Sequence, residues 1–238
     1  MKWRSLQESD ARSDTRPLRE QFAERKELIE KYVPAEARAI HARVIAELKQ
    51  SGISERALPI GAQAPQFELQ DHRGGVVRSV DLLSKSRLVI CFFRGRWCPF
   101  CVGQLEAMNQ WFDDIERASA TLLAISPQTV KQSSFMADQH RLKFPLLSDP
   151  GNHVARQFGL VYRVPDDQQA VFRRSFINLP LANGDDTWEL PVPATYMLER
   201  DGSVAYASVN ADYMERPEPI DVVRQVTALK RDCQDAAG

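Results

Sequence analysis

No stretch of this chain approaches the roughly 18 consecutive apolar residues that a membrane-crossing helix requires, and its first residues, MKWRSLQESDARSDTRPLREQF, lack the apolar centre of a secretory signal. The expected location is therefore the cytoplasm, with no membrane partner. Cysteine is scarce, at four in 238 residues. That is too few for a secreted disulfide framework, and a chain of this length buries a core without such staples. An excess of either charge is also missing: 31 Lys and Arg against 32 Asp and Glu leave a formal net charge of −1, which gives no reason to expect nucleic acid as a partner. There is no internal repeat, no low-complexity tract and no second Cys-x-x-Cys. A tetrahedral zinc site at Cys98 and Cys101 would need two further ligands. The chain offers only scattered His41, His72, His140 and His153 and the distant Cys91 and Cys233, so neither a metal nor a cofactor is expected.

The pattern that is present has two parts. From Phe22 to Leu48 apolar residues recur at helical spacing with a break at Pro34, giving two amphipathic helices that end at Ser51-Gly52. The polar residues before them, about 15 in number, are expected to be mobile. From residue 58 the character changes to a hairpin around Gly74-Gly75 and then to β-type runs alternating with helical patterns: RLVICFF (87–93), TLLAIS (121–126), FPLLSD (144–149), and a late hairpin of ATYMLE and SVAYASV turning at Arg200-Asp201-Gly202. A last helix begins near Pro219. Such alternation predicts an α/β sheet whose inner strands are buried on both faces. The expected division is a helical extension over 1–57 and a compact domain over 58–238. Residues 161 to 192 fit no element cleanly and read as an insertion covering something.

The chemistry concentrates in LVICFFRGRWCPFCVGQLEAMNQWF (88–112). An apolar strand ends at Phe93, Arg94-Gly95-Arg96 follows, and Trp97-Cys98-Pro99 stands where a helix begins. Unpaired backbone N–H groups and the helix dipole favour an anion at that position, and two arginines adjoin it. Cys98 is thus expected to be the thiolate and the nucleophile. Cys101, a turn further in, is expected to be more buried, to hold its proton and to resolve the first sulfur's bond. Cys91, inside the apolar strand, reads as a small core residue, and Cys233, near the C-terminus, as an exposed bystander.

This arrangement resembles the thioredoxin fold, in which Trp-Cys-x-x-Cys follows the first long strand. PVPATYMLERDGSV (191–204) resembles that fold's cis-proline loop and hairpin, which implies a cis peptide at Pro193 beside Cys98. With GAQAPQFELQDHRGGVVRSVDLL, LLAISPQT and FPLLSDPGNHVARQFGL, the resemblance narrows to the AhpC/TSA peroxiredoxin-like family, over roughly residues 58 to 232. The implied fold is thioredoxin-like α/β, a central mixed sheet flanked by helices, with an N-terminal helical extension. The implied activity is a thiol-dependent peroxidase. It would reduce hydrogen peroxide or organic hydroperoxides through a Cys98 sulfenic acid and a Cys98–Cys101 disulfide, recycled by a thioredoxin- or glutaredoxin-like reductant. Typical members carry Pro-x-x-x-Thr-x-x-Cys and a later Arg, whereas this chain has Cys91, Gly95 and Pro193 at those places. Stabilisation of the thiolate and the substrate is therefore expected from Arg94, Trp97, Pro193 and Thr195, with Arg96 as a further candidate. Two other readings fit the same motif. One is a cytosolic thiol–disulfide oxidoreductase; the other is a redox-responsive module whose N-terminal helices engage a partner, a second copy in a homodimer included.

Overall fold

The computed structural model describes residues 14–235, with side chains over 14–228. The expectation for the polar N-terminal segment falls, over residues 1–13, outside the described residues, as does the expectation for the Cys233 side chain.

Two helices open the described chain, α1 (Leu18–Tyr32) and α2 (Ala35–Gln50). They separate at Val33, whose φ of −89° and ψ of 130° are extended, because the ring of Pro34 excludes helical backbone from the residue before it. A hairpin follows, β1 (Glu68–Asp71) and β2 (Val76–Arg78), with Leu69 opposite Val77. The Asp71 carboxylate accepts the N–H groups of Arg73 and Gly75 and so holds the turn. Next in order come α3 (Ser79–Leu83), β3 (Arg87–Phe92), α4 (Pro99–Gln110), α5 (Phe112–Arg117), β4 (Ala120–Ser126), α6 (Val130–His140) and β5 (Leu146–Ser148). A 3-10 turn at Pro150–Asn152 leads to α7 (His153–Gln157). The chain ends with β6 (Val161–Arg163), α8 (Asp166–Arg174), α9 (Leu179–Asn183), β7 (Glu189–Pro191), β8 (Ala194–Leu198), β9 (Val204–Val209) and α10 (Pro219–Asp235).

Seven strands form one mixed sheet in the order β2-β1-β5-β4-β3-β8-β9, with β3 parallel to β4 and antiparallel to β8. This is the thioredoxin-like α/β arrangement expected. Every residue of β3 is buried, and because side chains alternate across a strand, the run serves two cores. Leu88, Ile90 and Phe92 join Phe158, Leu147 and Tyr196 on one side. On the other, Val89, Cys91 and Phe93 join Cys98, Cys101, Leu105, Met108 and Val222.

The N-terminal helices pack into this second core. Leu18 and Phe22 are buried within it, and the Phe22 ring meets Phe100 edge-on at 5.0 Å. Burying a side chain of that kind is worth about 2–3 kcal/mol. Glu218 accepts the N–H groups of Leu18 and Arg19 at 2.9 and 2.8 Å, so the start of α1 is tied to the segment before α10.

Two expectations need correction. Residues 161–192 are not without elements: β6 and β7 pair as a separate two-stranded sheet, and Val164, Phe172, Leu179, Trp188 and Leu190 close a small core of their own. Pieces of three to nine residues are too short to show a periodicity, which is why the sequence pattern hides them. The peptide bonds of the described residues are all trans, so Pro193 is not a cis-proline. The chain there runs extended from β7 into β8. Val192 donates to the Leu160 carbonyl and Ala194 pairs with both Phe92 and Val209, and no reversal of direction calls for a cis bond.

Candidate active site

Cys98 is the N-cap residue of α4 and Pro99 opens the helix, as the sequence suggested. Proline at this position sacrifices no helical hydrogen bond and pre-sets the first turn. The Cys98 N–H bonds to the Gly95 carbonyl at 3.1 Å and its own carbonyl receives Val102 N–H at 3.0 Å. Cys98 is 1 % exposed and Cys101 is fully buried, and both are free thiols, as is Cys91.

Gly95 explains the departure from the Thr pattern. Its φ is +145°, a region that side chains rarely adopt, and a Cβ there would lie 2.6 Å from Trp97 Nε1 and 3.0 Å from Cδ1. The Trp97 indole folds back over the glycine and occupies the space where a threonine side chain would stand. Arg94 stacks on that ring, 4.8 Å from its centroid, and is also 4.2 Å from the Tyr213 ring and 5.8 Å from that of Phe172. It is 1 % exposed. Burial works against its charge, but its interactions with Tyr162, the cysteine pair and Tyr213 more than offset this and raise its pKa, so Arg94 is a permanent cation. The Tyr162 hydroxyl hydrogen-bonds to it. Arg94 Nε and Nη2 and Trp97 Nε1 have no protein hydrogen-bond partner among the described residues, which is costly for buried donors unless something arrives to accept from them.

The cover over this box comes from the insertion and from α2. Phe172 of α8 packs on Trp97 at 5.2 Å and on His41 at 5.8 Å. His41 is bonded through Nδ1 to Gln168; burial, and secondly the Arg94 charge, lower its pKa to about 4, so it is neutral at physiological pH. Residues 161–192 thus pack over Trp97 and Arg94, the neighbours of the cysteine pair.

The two sulfurs share a hydrogen bond, and the surrounding charges act unequally on them. Burial, the bond to Cys101 and the Cys101 charge push the Cys98 pKa well up. Burial also disfavours the Cys101 anion, yet the bond from Cys98 and the charges of Arg216 and Arg94 overcome it and bring Cys101 down to about 5. Arg216, which no local pattern marks, adds its charge to that bond: its Nη2 lies 3.6 Å from Cys101 Sγ. The expectation that Cys98 alone carries the charge gives way to a pair that shares one proton across this hydrogen bond.

Thr195, opposite Cys91 in the β3–β8 ladder, is buried. It accepts from Gln104 Nε2 at 3.1 Å and bonds to Cys91, whose pKa burial pushes up to about 12. Its hydroxyl is engaged behind the pair. Arg96 is exposed and held outside by Gln132 and by the Phe135 ring at 4.8 Å. Arg216, Gln104, Tyr162, Tyr213 and Phe172 escaped the sequence reading, and His41 entered it only as one of the scattered histidines. Of these only Gln104 left a signal, as a polar residue on the apolar face of α4. Among the described residues no three His, Cys, Asp or Glu side chains gather as metal ligands would. His72 accepts from Leu146 N–H and His140 pairs with Glu106.

The sequence profile of the AhpC/TSA family matches residues 60–207. The chloroplastic peroxiredoxin Q of Triticum aestivum is 27 % identical over 173 residues, covering 73 % of this chain and 69 % of that protein. Peroxiredoxin Bcp of Escherichia coli K12 is 31 % identical over 103 residues, covering 43 % of this chain and 65 % of that one. The chain thus spans about two thirds of the length of these curated relatives. Among solved structures, peroxidoxin BcpB of Mycobacterium tuberculosis superposes with a TM-score of 0.57 at 20 % identity, covering 72 % of this chain and 97 % of that one. A Xanthomonas campestris bacterioferritin comigratory protein, described for alkyl peroxide reduction, gives 0.55 at 17 % identity, over 69 % and 92 %. At these identities the structural likeness establishes the fold.

Proposed function

The chain belongs to the AhpC/TSA family, and from that premise we propose that it is a thiol-dependent peroxidase in which Cys98 attacks the peroxide and Cys101 resolves the product. The observation that carries this reading is the set of unpartnered buried donors, Arg94 Nε and Nη2 and Trp97 Nε1, beside the cysteine pair. They form a preorganised donor site for the charge that develops as an O–O bond breaks. Trp97 supplies its N–H where the usual threonine would supply its hydroxyl.

In this scheme the Cys98 thiolate attacks the terminal oxygen of R–O–OH. The S–O bond forms, the O–O bond breaks, and RO⁻ leaves and takes a proton as ROH. Cys101 then attacks the sulfur of Cys98–OH, displacing hydroxide and closing the disulfide. Two electrons and two protons from a thioredoxin- or glutaredoxin-like dithiol restore the pair, and a reducing compartment, the cytoplasm, is the setting proposed. No helix among the described residues is long and apolar enough to cross a membrane.

The cover over Cys98 favours this reading over protein disulfide exchange, since a small peroxide needs a smaller opening past Phe172 than a protein disulfide does. A homodimer through α1 and α2 would use outward residues such as Leu28 and Tyr32, the inward ones being buried within the chain. Stopped-flow oxidation of the reduced protein by hydrogen peroxide and by cumene hydroperoxide, beside Cys98→Ser, tests the proposal. Oxidation should be fast and vanish in Cys98→Ser. A rate no greater than that of a free thiol, with rapid reduction of a protein disulfide, would hand the site to the oxidoreductase reading.

A further inference from the structure

We propose that Arg216, in the segment between β9 and α10, is the residue that holds Cys101 as a thiolate, so that once Cys98 is oxidised Cys101 is a resolving nucleophile that needs no further activation. The holding role stands by itself; its catalytic use rests on the peroxidase reading above.

The geometry is specific. Arg216 Nη2 reaches Cys101 Sγ at 3.6 Å, Nε donates to Gln104 Oε1 at 2.7 Å, and Nη1 donates to the Glu215 carbonyl at 2.7 Å. Gln104 is buried and pinned in turn by Thr195 at 3.1 Å, so the guanidinium is aimed rather than loose. The segment carrying Arg216 is clamped from both sides by α1: Lys26 pairs with Glu215 at 2.6 Å, and Glu218 accepts the first N–H groups of that helix. Arg25 of α1 also bonds to the Pro99 carbonyl at the start of α4. The N-terminal extension therefore fixes Arg216 and the helix that carries Cys101 relative to each other. Facing the Cys101 sulfur are Cys98, Arg94 through its charge and backbone N–H, and Arg216. Against one shared thiolate stand two cations.

The sequence of bonds balances. With the shared proton on the Cys101 sulfur, the Cys98 thiolate attacks R–O–OH. The departing RO⁻ recovers that proton from Cys101 and leaves as ROH. Cys101, again a thiolate beside Arg216, attacks Cys98–OH; the S–S bond forms, the S–O bond breaks and hydroxide departs. The sum is one thiol, one thiolate and ROOH giving disulfide, ROH and hydroxide.

The test is the ultraviolet absorbance of the thiolate, titrated in reduced full-length protein, for the parent, Arg216→Gln, Arg216→Lys and Gln104→Leu, with circular dichroism as the check on folding. The parent should keep one thiolate into mildly acid solution. Arg216→Gln should move that titration toward an ordinary thiol, Arg216→Lys should restore part of it, and Gln104→Leu, which loosens the aim without removing the charge, should shift it less. At neutral pH only about 3 % of an ordinary thiol is ionised, so the Cys98 sulfenic acid should persist longer in Arg216→Gln, by up to roughly 30-fold with Arg94 still beside Cys101. That difference should close once the pH exceeds the ordinary thiol pKa, a dependence that mere loosening of the fold would not produce. An unmoved titration in folded Arg216→Gln overturns the inference, and if that variant does not fold, an unmoved titration in Gln104→Leu does so. A shifted titration in a protein that peroxide barely oxidises would leave Arg216 in this role and remove the peroxidase reading instead.

Discussion

Replacing Gly95 by Thr would restore the residue that relatives typically carry three positions before the reactive cysteine, and the geometry here requires that this do harm. At φ +145° a residue with a side chain costs about 1–3 kcal/mol in backbone strain. The new Cβ would meet Trp97 Nε1 at 2.6 Å. The indole cannot swing away freely, because Arg94 and Phe172 hold it at 4.8 and 5.2 Å, so overpacking adds roughly another 1–3 kcal/mol. At about 2–4 °C per kcal/mol for a chain of this size, the melting temperature should fall by roughly 5–20 °C. Thermal unfolding of the parent, Gly95→Ala, Gly95→Thr and Gly95→Thr with Trp97→Val measures it. The double variant should recover the packing part and leave the backbone part. Gly95→Thr melting within about 2 °C of the parent, and oxidising faster with peroxide, would refute the argument that Trp97 has taken the threonine's place.

Arg94→Met keeps the bulk and removes the charge and both free donors, and should slow oxidation of Cys98 by roughly 10²–10³-fold; stopped-flow fluorescence reads it directly, and a loss under threefold or so would deny Arg94 that role. His41 has a pKa of about 4 in the fold against an ordinary 6.5, so the folded state binds fewer protons between those values. Its contribution to stability is complete above 6.5 and is lost as the pH falls toward 4. Urea unfolding should show the parent losing about 2 kcal/mol more than His41→Phe between neutral pH and about pH 5, and parallel losses would refute this.

The fold was legible where a pattern repeats over enough residues. The β3 run, the break at Pro34 and the stripe on α4 each state one physical requirement, and each produced the element it implied. The insertion was not legible, because β6, α8, α9 and β7 take their stability from one another rather than from any periodicity of their own. At the site, the position of Cys98 at a helix N-terminus could be read from Arg-Gly-x-Trp-Cys-Pro, and Arg94 with it. The cation beside Cys101 could not, since Arg216 lies 115 residues away in the chain and is brought there by the segment that α1 clamps. Pro193 shows the opposite hazard: a matching local string carried an expectation that the extended path from β7 to β8 does not meet.

The central claim is that Cys98 takes the oxygen and Cys101 removes it. The most direct measurement uses Cys101→Ser, reduced, given one equivalent of hydrogen peroxide in the presence of a dione trap and mapped by peptide mass spectrometry. The account predicts that the adduct forms on Cys98 in nearly full yield, and that the parent, treated alike, shows instead a Cys98–Cys101 disulfide and no adduct. An adduct on another cysteine, or none on Cys98 while the parent still loses its thiols to peroxide, would contradict it.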